Sequence, residues 1–119
     1  MKKAHNFREL KIWKESIILV KRIYLLTAEL PKDEKFGLIS QINHCSISIP
    51  SNIAEGSGRT SEKEFLHFLN IAISSSYELE TQLILVEELF KIETKSILEE
   101  LEVLQKMIGA FKRMLKTEN

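Results

Sequence analysis

Eight residues, Phe65, Leu69, Ala72, Ser76, Leu79, Leu83, Val86 and Phe90, follow one another in alternating steps of four and three. A row of that spacing fits one face of a helix and no strand, because strand side chains alternate with a period of two. From Glu62 to Phe90 such a helix is roughly 40 Å long at about 1.5 Å per residue. A long helix with one apolar seam needs partner helices, which confines the chain to bundles and coiled coils. Ser61-Glu62-Lys63-Glu64 opens it as a capping box, the Ser hydroxyl and Glu carboxylate meeting backbone N–H groups. Phe68, Ile71, Ile84 and Leu89 add apolar surface beside the row.

Three further segments supply the partners. From about Phe7 to Glu29, Leu10, Trp13, Ile17, Val20 and Tyr24 form one helical stripe, and Ile12, Leu19, Ile23 and Leu26 widen it. Pro31 disfavours helical geometry at Leu30 and ends this segment, and Asp33 is placed to cap the next. From about Glu34 to Glu55, Phe36, Ile39, Ile42, Ile49 and Ile53 make an apolar side. Gln41, Cys45, Ser48, Asn52 and Glu55 make a mostly polar seam at the same four-and-three spacing. Pro50 falls inside this pattern and predicts a kink; Gly56 is placed for a left-handed cap at the end. After Lys91-Ile92-Glu93-Thr94, with Thr94 as N-cap, Ile97, Leu101, Leu104, Ile108, Phe111 and Leu115 repeat the alternation. Ser74-Ser75-Ser76 is a small, polar run that allows close helix approach.

Short connections make sequential helices antiparallel. The sequence therefore predicts an all-α, up-down-up-down antiparallel four-helix bundle with the second helix kinked at Pro50. It reads as a single domain over residues 1–119, with residues 1–6 disordered.

Chemistry is sparse along this chain. Its 17 basic and 17 acidic side chains balance, so net charge gives no general attraction to a polyanion. Cys45 is the one cysteine, which excludes an internal disulfide and a thiolate zinc site and fits a reducing, cytoplasmic setting. Arg8, Glu9 and Lys11 interrupt any apolar run after the basic start, so no secretory signal is expected. Nor is there a stretch near the roughly 20 apolar residues needed to cross a bilayer. A carboxylate-bridged metal pair in a bundle needs two Glu-x-x-His steps, and Glu64 to His67 is one without a second. His44 points about 100° from Cys45 on a helix, so the thiol reads as buried and inert. Arg59 and His67 stand further apart than the arginine and histidine of helical ribonucleases, and Gly56-Ser57-Gly58 lacks the lysine of a phosphate-binding loop. No catalytic residue, metal or cofactor is expected.

The charges are unevenly placed. Lys11, Lys14, Lys21 and Arg22 crowd the first helix, Lys112, Arg113 and Lys116 the last, and glutamates the stretch between. Either these ends face each other and solvent, or a basic surface meets phosphates with an affinity that falls steeply with salt.

Ser48-Ile49-Pro50-Ser51-Asn52-Ile53-Ala54-Glu55-Gly56, then Gly58-Arg59, Glu64-Phe65, and Leu69 with Ile71-Ala72, resemble the four-helix bundle family of 23S rRNA intervening-sequence proteins. That family includes relatives of the accessory protein of diversity-generating retroelements. Asn6 to Lys14 resembles its usual opening, and Pro31-Lys32-Asp33-Glu34, Phe36-Gly37-Leu38 and Gln41 its next segment. The resemblance implies a ring-shaped homopentamer without enzymatic activity. In the retroelement relatives such a ring is basic and binds nucleic acid and a reverse transcriptase. This chain departs from the family where Asn43 and His44 stand for the usual arginines, and where Ile73-Ser74-Ser75 stands for Arg-Gly-Ser.

The resulting expectation is a non-enzymatic oligomeric scaffold that binds RNA, DNA or a nucleic-acid enzyme through Lys11, Lys14, Arg22, Arg59 and Lys63. The alternative is a purely protein-binding assembly module. The polar seam of Gln41, Ser48, Asn52 and Glu55 either pairs with neighbouring helices or subunits, with Glu55 holding Arg59, or lines a pore or ligand-facing surface.

Overall fold

The Ser61 hydroxyl accepts a hydrogen bond from the Glu64 backbone N–H at 3.1 Å, and the chain enters its longest helix there. This helix is α3 (Glu62–Phe90) in the computed structural model, which describes residues 5–118. The others are α1 (Lys11–Thr27), α2 (Ser40–Ser57) and α4 (Lys95–Glu118), and no strand is present among the described residues. None of the described helices is long and apolar enough to cross a membrane. α1 packs on α2, α2 on α3, α3 on α4, and α4 back on α1, so the helices close around one core as an all-α four-helix bundle.

Residues late in one helix meet residues early in the next. Thr27 Oγ1 donates to Asn43 Oδ1 at 3.0 Å, and Gly56 lies against Phe65 and Phe68. Late α1 also meets early α4, where the Arg22 guanidinium donates to the Glu100 carboxylate and, at 3.0 Å, to Ser96 Oγ. Such contacts place the end of each of these helices beside the start of its neighbour.

The α3 row is buried from Phe65 to Val86, and only Phe90 at its end is half-buried. In α4, Ile97, Leu101, Leu104, Ile108 and Leu115 are buried and Phe111 half-buried. Each such side chain, fully buried, stabilises the fold by about 1.5–3 kcal/mol. Buried serines fill the tight places between helices. Ser16, Ser46 and Ser76 each satisfy their hydroxyl on the carbonyl three residues earlier, at 2.7, 2.9 and 2.6 Å.

Three local expectations are corrected. In α1 the core face is the set Ile12, Leu19, Ile23 and Leu26; Trp13, Ile17 and Val20 are half-buried and Tyr24 is exposed. Both rows have helical spacing, and the contact with α2 and α4 selects the second. Phe36 is 90% exposed rather than part of the α2 core face. Gly37 has non-helical backbone angles (φ −106°, ψ −105°), and α2 starts only at Ser40, so Phe36 is out of register with Ile42, Ile49 and Ile53. Asp33 accordingly lies in a separate 3₁₀ turn instead of capping α2. α2 itself continues across the buried Pro50.

The third correction concerns Gly56. No described glycine has positive φ, and Gly56 lies inside α2 rather than in a left-handed cap. A Cβ added there would sit 2.8 Å from both Phe65 Cδ1 and Phe68 Cβ, so glycine is required for close approach rather than for backbone freedom. The left-handed residue of the described chain is Lys91 (φ 57°), which ends α3.

Residues 1–4 lie outside the described residues. Of the stretch read as disordered, Asn6 Oδ1 accepts from the Arg8 N–H at 3.2 Å and starts a 3₁₀ turn over Phe7–Glu9. The His5 ring packs edge-on against Phe65 and Phe111, with centroids 5.2 and 6.1 Å away.

Gly56→Ala forces a methyl group against the fully buried Phe65, and overpacking of this kind costs about 1–3 kcal/mol. Thermal or urea unfolding of the variant checks it; an unchanged midpoint contradicts the close-approach role.

Candidate functional site

α2 turns its polar seam toward α3. Ser48 Oγ and Ser75 Oγ share a hydrogen bond at 2.8 Å across the two helices. The Asn52 amide donates to Ser48 O at 2.8 Å and to Ser48 Oγ at 3.0 Å. One turn on, Glu55 Oε2 accepts from Arg59 Nη2 at 2.5 Å, and the Arg59 guanidinium lies 4.7 Å over the Phe68 ring. The seam therefore pairs within the chain at Ser48, Asn52 and Glu55, while Gln41 at its start is exposed to solvent.

Cys45 belongs to the same stripe and is buried. Gln82 Nε2 donates to its Sγ at 3.5 Å. Burial, reinforced by the Glu78 carboxylate, pushes the thiol up from 9.0 to about 11. Thiolate is the nucleophile and metal ligand, so at neutral pH this sulfur is inert. Among the described residues, no group of three or more His, Cys, Asp or Glu is placed to hold a metal ion. Glu64 accepts from Thr60 Oγ1 at 3.2 Å, and His67 is exposed, edge-on to the Phe68 ring.

The five basic residues singled out from the sequence do not form one patch. Arg22 is tied to Glu100 and Ser96 near the first turn of α4, and Arg59 to Glu55. Lys11 and Lys14 are exposed early in α1, and Lys63 is exposed early in α3. His5 Nε2 lies 3.9 Å from Glu62 Oε1, which brings the start of the described chain to the start of α3. Lys11, Arg59 and Lys63 consequently belong to one end of the bundle and Arg22 to the other. The positions where arginines were expected by resemblance serve the monomer differently. Asn43 bonds Thr27 across α1 and α2, Ile73 packs against the core, and His44 is exposed.

One surface escaped sequence reasoning. α3 and α4 leave a groove of about 950 Å³ between them, where four carboxylates and the cations Lys95, Lys106 and Arg113 surround the apolar Tyr77, Ile84 and Leu98. A signal for it did exist in Gly109, the lone glycine of α4, which lines the groove.

Cys45 is expected to resist alkylation at neutral pH in the folded protein and to react readily once unfolded. Because its folded value is raised, the unfolded chain ionises first as pH climbs from about 9 to about 11. The stability contributed by the thiol is present below that window and lost through it. Urea titrations of wild type and Cys45→Ala across these pH values check the sign, since the variant lacks that part of the decline.

No match is found among curated proteins. A solved structure of a protein with unknown function from the S23 ribosomal protein family of Bacteroides thetaiotaomicron VPI-5482 is similar to this chain. It is 27% identical with a TM-score of 0.78, over 85% of this chain and 97% of that one. The model of the 23S rRNA-intervening sequence protein family matches residues 8–110, from the 3₁₀ turn before α1 into the second half of α4. With that match and the four-helix bundle it runs through, the chain belongs to the 23S rRNA-intervening sequence protein family.

Proposed function

We propose that the chain is a non-enzymatic helical scaffold whose working form is an assembly of several copies in the cytoplasm. The observation that carries this reading is the pairing of exposed apolar side chains on helix faces. Single exposed apolar residues are ordinary on any protein. Here Ile18 and Leu25, 47% and 73% exposed, stand seven residues apart on one face of α1. Tyr77 and Ile84, 58% and 46% exposed, stand seven apart on one face of α3. Seven residues are about two turns, the spacing at which helices pack on other helices. The balanced charge leaves no strong self-repulsion to oppose association. Family membership adds the ring-shaped homopentamer that the resemblance implies.

Sedimentation equilibrium at micromolar concentration tests it. The expected mass is a multiple of 13.8 kDa, five-fold for the ring. A monomer mass throughout overturns the reading.

A second reading has the assembled scaffold bind RNA or DNA, alone or with an enzyme such as a reverse transcriptase, through Lys11, Arg59 and Lys63. The proximity of His5 to Glu62 favours it, because it gathers these three at one end of the bundle. Lys11 and Lys63 make no ion pair among the described residues. Repetition around a ring would multiply that cluster. Fluorescence anisotropy with structured RNA and duplex DNA checks it at about 50 and 200 mM salt, where several phosphate contacts cost about tenfold or more in affinity. Absence of binding at the lower salt overturns it.

A further inference from the structure

The outward face of α1 repeats the spacing of a packed seam although nothing in the described chain covers it. Lys14, Ile18, Lys21 and Leu25 follow in steps of four, three and four, on the side away from the buried Ile12, Leu19, Ile23 and Leu26. All four are exposed, and both charges among them are positive. Neither lysine makes an ion pair among the described residues.

The groove between α3 and α4 complements this face, and no α1 residue lines it. Tyr77, Ile84 and Leu98 supply apolar lining, and Glu80, Glu87, Glu99 and Glu102 supply carboxylates. Of the cations in the groove, Lys106 is paired with Glu102 at 3.2 Å, and Lys95 and Arg113 stand toward the two ends of α4. Leu98 to Gly109 covers the same number of residues as Lys14 to Leu25, about 16 Å of helix in each case.

Gly109 is the second observation. A glycine in a helix interior weakens it relative to alanine, and Gly109 stands on the α4 wall of the groove. No close contact among the described residues requires glycine there: a Cβ added at Gly109 would meet only Arg113 Nη1, at an ordinary 3.7 Å. Gly56, by contrast, is demanded by two side chains at 2.8 Å. At Gly109 the wall of the groove is bare backbone, with only the flexible Arg113 side chain reaching over it.

We propose that the Lys14–Ile18–Lys21–Leu25 face of α1 in one copy seats in the α3–α4 groove of the next. Its lysines lie opposite the groove carboxylates, and its aliphatic side chains lie against Ile84, Leu98 and Gly109. This is a helix-in-groove contact, and it rests on the reading of the chain as a self-assembling scaffold. The two surfaces differ, so copies join head to tail and build a ring when the rotation between them closes.

Sedimentation equilibrium compares three charge variants with wild type: Lys14→Glu with Lys21→Glu, Glu99→Lys with Glu102→Lys, and all four changes together. The four positions are exposed, and circular dichroism confirms that each variant keeps the helical content of wild type. Each double variant is expected to fall to the 13.8 kDa monomer, and the combined variant to regain the wild-type mass because both partners of the contact are reversed. Wild-type mass in both double variants, or no recovery in the combined one, overturns this contact while leaving assembly standing. A monomeric wild type removes assembly and contact together. Gly109→Leu gives an arm independent of charge: loss of the assembly with the helices intact supports the groove as the seat, and wild-type mass overturns it.

Discussion

At Gly56 the backbone of α2 comes so near α3 that a single methyl group would sit 2.8 Å from Phe65 and from Phe68. Phe65 is fully buried and in turn meets the rings of His5 and Phe111. One close approach thus sets the distance between α2 and α3 and places the ring against which the chain's start and its last helix pack. The Ser48–Ser75 hydrogen bond further along the same interface has the same requirement, since two short hydroxyl side chains meet only where helices lie close. Buried serines that satisfy themselves on their own helix let the approach continue without orphaned polar groups.

The long rows of α3 and α4 were legible in the sequence because their four-and-three spacing runs unbroken further than that of any other apolar set in those helices. In α1 the same rule gave two faces, and the choice between them belongs to α2 and α4, not to α1. Phe36 misled because helical spacing was carried through Gly37, whose backbone departs from helical angles and breaks the register before α2 begins. Gly56 was correctly marked as special, yet its reason lay in side chains nine and twelve residues further on, across a turn.

The candidate site was less legible, for an electrostatic reason. The Glu55–Arg59 pair sits one helical turn apart and is visible as a local spacing. The pairing of Arg22 with Glu100 joins two helices far apart in sequence, and only folding reveals that this cation is already matched. Counting basic residues along a chain therefore overstates the charge that remains for a partner. Exposed apolar positions are overlooked for the opposite reason. Ile18 and Leu25 resemble core residues in sequence, and only the completed bundle leaves them outside.

The edge-on cluster of His5, Phe65 and Phe111 joins the first described residue to the last helix through the middle of the chain. During synthesis, α1, α2 and α3 are all joined to the chain before Phe111 exists. Until then the faces of α1 and α3 that α4 covers have no cover. The bundle thus closes only when its final helix packs, and until then its apolar interior is open to the wrong partner.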